Sequence, residues 1–150
     1  MQGMTLIVKT IARLVAGFIA LFAVYIVLYG HVTPGGGFAG GVILAGALVL
    51  VVLAFGEEFS RRVLPQGVVH VADGLAALVF VLVALFGYAA GAFFENFPGE
   101  GHTGTLISAG TIPISNMAIG IKVAAGVFGV FLALALFRRR GETQLMEGVP

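Results

Sequence analysis

Four stretches of this chain are too long and too apolar to fold in water. They run from about Thr5 to Tyr29, Pro34 to Phe55, Val69 to Phe93 and Asn116 to Phe137. A helical membrane crossing needs about 20 predominantly apolar residues, and each stretch meets that length. Hydrocarbon offers no water to backbone N–H and C=O groups, so a spanning segment must satisfy them internally. The alternation of a barrel strand is absent. The sequence therefore predicts an all-α fold, a polytopic membrane protein built as a bundle of four transmembrane helices. Of the 150 residues, 59% are hydrophobic and only 10% charged. A soluble domain carries roughly 25% charged residues. Residues 1–150 thus read as a single transmembrane domain with no separate soluble part.

The first two stretches are joined by a very short connection, His31-Val32-Thr33-Pro34-Gly35-Gly36-Gly37-Phe38-Ala39-Gly40-Gly41. The chain must reverse direction here. Thr33 and Pro34 form a helix-start signal: a Thr hydroxyl can cap free N–H groups, and Pro fits the first helical position. Each glycine that follows costs roughly 1 kcal/mol of helix stability relative to Ala. In exchange, Gly permits close approach of another backbone, exposed N–H groups or local unwinding. Gly35, Gly37 and Gly40 match G-x-G-x-x-G, but the dinucleotide reading requires a preceding strand in a βαβ unit, and an apolar span precedes them instead. Gly37, Gly41 and Ala45 form a small-xxx-small ladder suited to helix packing in lipid. Gly87 and Gly91 on the third span, and Ala125 and Gly129 on the fourth, repeat that spacing. The surplus of such faces suggests packing against partner subunits.

The basic residues set an expected orientation. Lys9 and Arg13 lie near the start of the first span, Arg61 and Arg62 between the second and third, and Arg138, Arg139 and Arg140 after the fourth. The other two connections, His31–Gly35 and Glu95–Ser115, contain no Lys or Arg. The positive-inside rule then places both termini in the cytoplasm. No cleaved signal peptide is expected at the N-terminus. The Glu95–Ser115 segment, with Glu100, His102, Pro98 and Pro113, reads as a flexible polar loop on the outer side. Glu57 and Glu58 beside Arg61 and Arg62 read as a solvated, self-neutralising loop.

Lys122 stands out as a charge inside a span. A charged group at depth costs at least ~2.5 kcal/mol on insertion scales, so it should face a partner, a cavity or an ion path. The alternative is that its stem lets the ammonium snorkel to the outer interface. Asp73 is expected one turn into the third helix, where the helix dipole stabilises a carboxylate. His70 shares its face, and the two together could handle protons at the cytoplasmic mouth. His31, at the outer end of the first helix, has the same titration range but also suits a plain capping role. These groups are too few for a metal site.

Several chemistries are excluded. No cysteine is present, which removes disulfides, thiolate nucleophiles and iron–sulfur ligands. There is no nucleophile elbow, H-E-x-x-H or Walker lysine. No basic run is long enough for a nucleic-acid footprint. Nothing calls for a cofactor or for catalysis on this chain.

Gly30-His31, Thr33-Pro34-Gly35-Gly36-Gly37-Phe38 and Gly40-Gly41 resemble the signature of the MnhB/MrpB subunit of multisubunit Na⁺/H⁺ (Mrp-type) antiporters. Ser108-Ala109-Gly110-Thr111-Ile112-Pro113, leading into Asn116 and Gly120, supports the resemblance along the chain. It implies a small accessory component, assembled with other small Mrp-type subunits and a large antiporter-like subunit. The same module occurs in membrane-bound hydrogenases and related energy-converting complexes, so hydrogenase-type subunits are alternative partners. The resemblance assigns no catalytic residue. Two roles stay open: lining a sodium or proton path, and scaffolding the complex by packing alone.

Overall fold

The computed structural model describes residues 4–56, 65–96 and 109–147. The loop readings made for Glu57, Glu58, Arg61, Arg62, Glu100 and His102 lie outside these residues. Four helices are present among the described residues: α1 (Leu6–Leu28), α2 (Gly36–Phe55), α3 (Gln66–Phe86) and α4 (Ile112–Glu147). A single 3₁₀ turn, Gly87–Ala89, extends α3. All four helices are long and apolar enough to cross a membrane, α4 by its segment Ile112–Ala135.

The helices stand in a row rather than a closed ring. α1 packs on α2, α2 on α4, and α4 on α3, while α1 touches α4 only lightly. α3 is therefore an edge helix, held mainly by α4. One face of the molecule bears the start of α1, the end of α2 and the start of α3; here the Met4 N–H donates to the Ala54 carbonyl at 3.0 Å. We call it the terminal face, and the opposite one the hairpin face.

The interior is made of small side chains. Ala12, Ala16 and Ala23 of α1, and Ala45, Ala47 and Ala54 of α2, are buried. Large residues such as Leu6, Ile7, Phe18 and Leu21 point outward. This inverts the soluble pattern: in lipid, helices associate through close van der Waals packing, and bulky side chains face the membrane or neighbouring subunits. A compact cluster of Ala45, Val52, Val69, Phe128 and Leu132 joins α2, α3 and α4.

The helix starts differ from the sequence expectation in ways that matter for the site. α2 begins at Gly36, after Thr33 and Pro34 rather than on them. Both the Thr33 N–H and its hydroxyl donate to the Tyr29 carbonyl, at 2.8 and 3.0 Å. Thr33 thus closes the end of α1 instead of capping α2. The reversal falls at Gly35 and Gly36, whose φ values of 141° and 85° only glycine adopts readily. α3 starts at Gln66, three residues before the expected Val69, and stops at Phe86. Gly87 and Gly91 therefore lie in the turn beyond it, where Gly87 packs against the returning backbone of Phe94 and Glu95 rather than against another helix. There the chain folds back, the Phe94 N–H donating to the Ala84 carbonyl at 3.2 Å. α4 takes in Pro113, read from sequence as loop, within its first turn, where a missing N–H has no helical partner to lose.

Candidate functional site

The glycine motif positions α4. α2 and α4 run parallel, with Gly37 against Asn116 and Ile119, and Gly41 against Gly120 and Val123. A Cβ on Gly41 would fall 2.7 Å from the Gly120 carbonyl oxygen, closer than any packed carbon can sit. Gly40 faces the other way, onto Ala23 and Val27 of α1. The motif is thus spent inside the chain, clamping α2 between α1 and α4. Gly36, Gly37, Gly40 and Gly41 are all buried, while Pro34 and Gly35 are exposed and Thr33 is half-buried.

The same clamp fixes the height of Lys122. It lies ten residues beyond Ile112, about 15 Å from the hairpin end of α4 at 1.5 Å per residue. Asp73 lies seven residues beyond Gln66, about 10 Å from the terminal end of α3. Across a hydrocarbon core of about 30 Å, the two antiparallel helices bring these groups to one level. The Lys122 Nζ donates to Asp73 Oδ1 at 2.9 Å. Lys122 therefore neither snorkels to the hairpin face nor points into the row. Asp73 is two turns deep rather than one, because α3 begins earlier than the apolar pattern suggested. The side chains remain 48% and 40% exposed on the chain's outer surface.

The four ionisable candidates do not all converge. His70 is exposed on α3, one turn from Asp73 toward the terminal face. His31 is half-buried in the turn after α1, at the opposite end of the molecule. No group of three or more His, Cys, Asp or Glu among the described residues could hold a metal ion.

Two residues hold positions that the sequence reading did not assign them. Arg13 lies seven residues into α1, and its guanidinium sits over the Phe55 ring, 5.2 Å from the centroid. Gln66 opens α3 and shares a face with His70 and Asp73, at positions i, i+4 and i+7. Both were visible as spacing once the helices are started at the right residue.

These features define a class: a small multi-pass α-helical membrane subunit with an ion pair at mid-depth. The family model described as "Domain related to MnhB subunit of Na+/H+ antiporter" matches residues 7–129. The chain belongs to that family. It is 34% identical over 137 residues to the uncharacterized protein MJ1307 of Methanocaldococcus jannaschii, covering 82% of this chain and 49% of that one. It is 40% identical over 89 residues to a Na⁺/H⁺ antiporter subunit of Bacillus subtilis, covering 59% of this chain and 62% of the relative. Among solved structures, it is similar to a chain of the membrane-bound sulfane sulfur reductase, an archaeal respiratory membrane complex, with a TM-score of 0.71 and 40% identity. That match covers 85% of this chain and 56% of the other. The chain thus spans between about half and two thirds of the length of these relatives.

Proposed function

We propose that the chain is a small, non-catalytic membrane subunit of a multisubunit Na⁺/H⁺ antiporter-type module, contributing to sodium and proton translocation and to assembly of the complex. Its partners are other antiporter-type subunits, including a large antiporter-like one. It sits in a prokaryotic cell membrane with both termini in the cytoplasm; Lys9 and Arg13 near the start of α1 support reading the terminal face as the inner one.

The observation that carries the translocation role is the Lys122–Asp73 pair. An ion pair at mid-depth is expensive to insert, and intramembrane ionisable groups by default mark ion pathways. The scaffold-only reading draws less support, because Gly37 and Gly41 are used within the chain rather than left for a neighbour. The test is Lys122→Met in the assembled complex, with sodium-dependent proton movement measured in membrane vesicles. Reduced transport with intact assembly is expected. Full transport in a fully assembled mutant overturns the translocation role and leaves the scaffold reading.

A second reading concerns the host. The likeness to a chain of the archaeal sulfane sulfur reductase complex supports, as an alternative host, a respiratory or hydrogenase-type complex. Purification in mild detergent and identification of the co-purifying subunits separates the two.

A further inference from the structure

The polar side chains of α3 lie on a single stripe. Gln66, His70 and Asp73 are the only polar or ionisable residues between Gln66 and Phe86. Spacings of four and three residues stack them on one helix face. The stripe starts at the terminal face and ends where Asp73 meets Lys122. Further along the same face come Ala77 and Phe80, which are apolar. Phe80 packs against Phe94, ring centroids 5.3 Å apart, closing the line toward the hairpin face.

The space beside the stripe is open. A cavity of about 240 Å³ lies between α3 and α4, with Gln66, Val69 and His70 on one wall and Gly129, Leu132 and Phe137 on the other, on the terminal side of the Lys122–Asp73 pair. A Cβ on Gly129 would meet nothing within 4 Å, so this glycine is not there for close packing. A void of this size with polar groups along one wall has room and partners for water. Hydrocarbon against Gln66 and His70 would leave their polar atoms without partners, a state that costs several kcal/mol per group.

We propose that the Gln66–His70–Asp73 stripe and the Gly129 wall of α4 form the terminal-side entrance of a water-filled path for a small monovalent cation, leading toward the Lys122–Asp73 pair. The path rests on the reading of that pair as part of the ion route. Its amide and carboxylate oxygens suit a sodium ion, and its imidazole suits protons relayed through water. Neighbouring subunits close its outer side. α2 brings no ionisable side chain to it. Those of α1, Lys9, Arg13 and Tyr25, belong to the other end of the row.

The native chain has no cysteine, so single cysteines report access directly. Gln66→Cys and His70→Cys are compared in the assembled complex with Val71→Cys and Leu75→Cys, which are off the stripe although 60% and 57% exposed on this chain. The probe is a small, positively charged, membrane-impermeant thiol reagent added from the cytoplasmic side. The first two should react and the second two should not; Ala77→Cys, beyond the pair, should also stay unlabelled. A His70→Cys no more reactive than Val71→Cys overturns the path. Slower labelling of His70→Cys in sodium than in a matched choline salt assigns the path to sodium, and unchanged labelling assigns it to protons. Labelling Gly129→Cys should lower sodium-dependent proton movement relative to the same preparation before labelling. Full labelling without a drop means the void conducts nothing and overturns the proposal. These access measurements do not depend on the Lys122→Met transport result, so failure of the path and failure of the translocation role are distinguishable.

Discussion

Gly41 and Gly120 meet backbone to backbone, the site of a Gly41 Cβ lying 2.7 Å from the Gly120 carbonyl oxygen. This contact sets how closely α2 and α4 approach, and hence the height at which α4 presents Lys122. It belongs to the fold of the single chain. The small-residue ladder, taken from sequence as a surface for other subunits, is consumed before any neighbour docks.

Gly41→Leu should therefore destabilise the chain itself. Overpacking of a close contact costs about 3 kcal/mol at the upper end of the usual range. Gly46 lies on the same helix but has nothing within 4 Å of a built Cβ. Gly46→Ala should leave stability unchanged or raise it by roughly 0.5–1 kcal/mol through helix propensity. Thermal unfolding of the two variants in one detergent checks the contrast. Equal melting behaviour would mean that the α2–α4 contact is not a packing constraint.

The ion pair predicts non-additivity. Lys122→Met leaves the Asp73 carboxylate without its counter-charge, and Asp73→Asn does the same to the ammonium. Breaking one partner of an ion pair within a membrane-spanning segment costs more than removing both. The double variant should unfold at a higher temperature in detergent than either single one, with the complex still assembled in all three. Additive losses would show that the two groups act independently.

Orientation has its own measurement. Met4 and Val32 are 51% and 49% exposed and stand on opposite faces. In intact cells, Val32→Cys should react with an impermeant label, and Met4→Cys should react only after permeabilisation. The reverse pattern would invert the membrane topology and place the polar stripe at the outer surface.

At the hairpin face, the Asn96 Oδ1 accepts the Thr111 N–H at 3.0 Å. Gly110, at φ 59°, leaves room for the Asn96 side chain. Asn96→Ala should cost about 1 kcal/mol, the usual worth of such a hydrogen bond, and loosen the start of α4. Unchanged thermal stability would show that the bond is not formed in the membrane.

Hydropathy alone revealed the four spans, because exclusion of water acts on composition and length. Hairpin chemistry was legible only in part. The glycines were recognised as close-approach residues, yet Thr33 serves the helix behind it rather than the one ahead. Both of its bonds go to Tyr29, a choice made by the turn geometry at Gly35. The depth of Asp73 was misjudged because Gln66 and Gly67 are poor apolar markers, although they are helical. Its partnership with Lys122 links residues 49 positions apart, and no local periodicity encodes such a pairing. It follows from the antiparallel registry of α3 and α4, which pack directly on each other.

The order of the row has a consequence for biosynthesis. α3 leaves the ribosome before α4, so Asp73 reaches the insertion machinery while Lys122 is still to be made. At about 5–20 residues per second, the 49 residues between them take roughly 2–10 s to synthesise. During that interval α3 has no counter-charge and no helix to lean on except those it barely touches in the finished molecule. Its partition into lipid must be driven by its own side chains, whose best window has a mean hydropathy of 2.4. The pairing of Asp73 with Lys122 is accordingly a late event in maturation, made when the last helix docks and the edge of the row is complete.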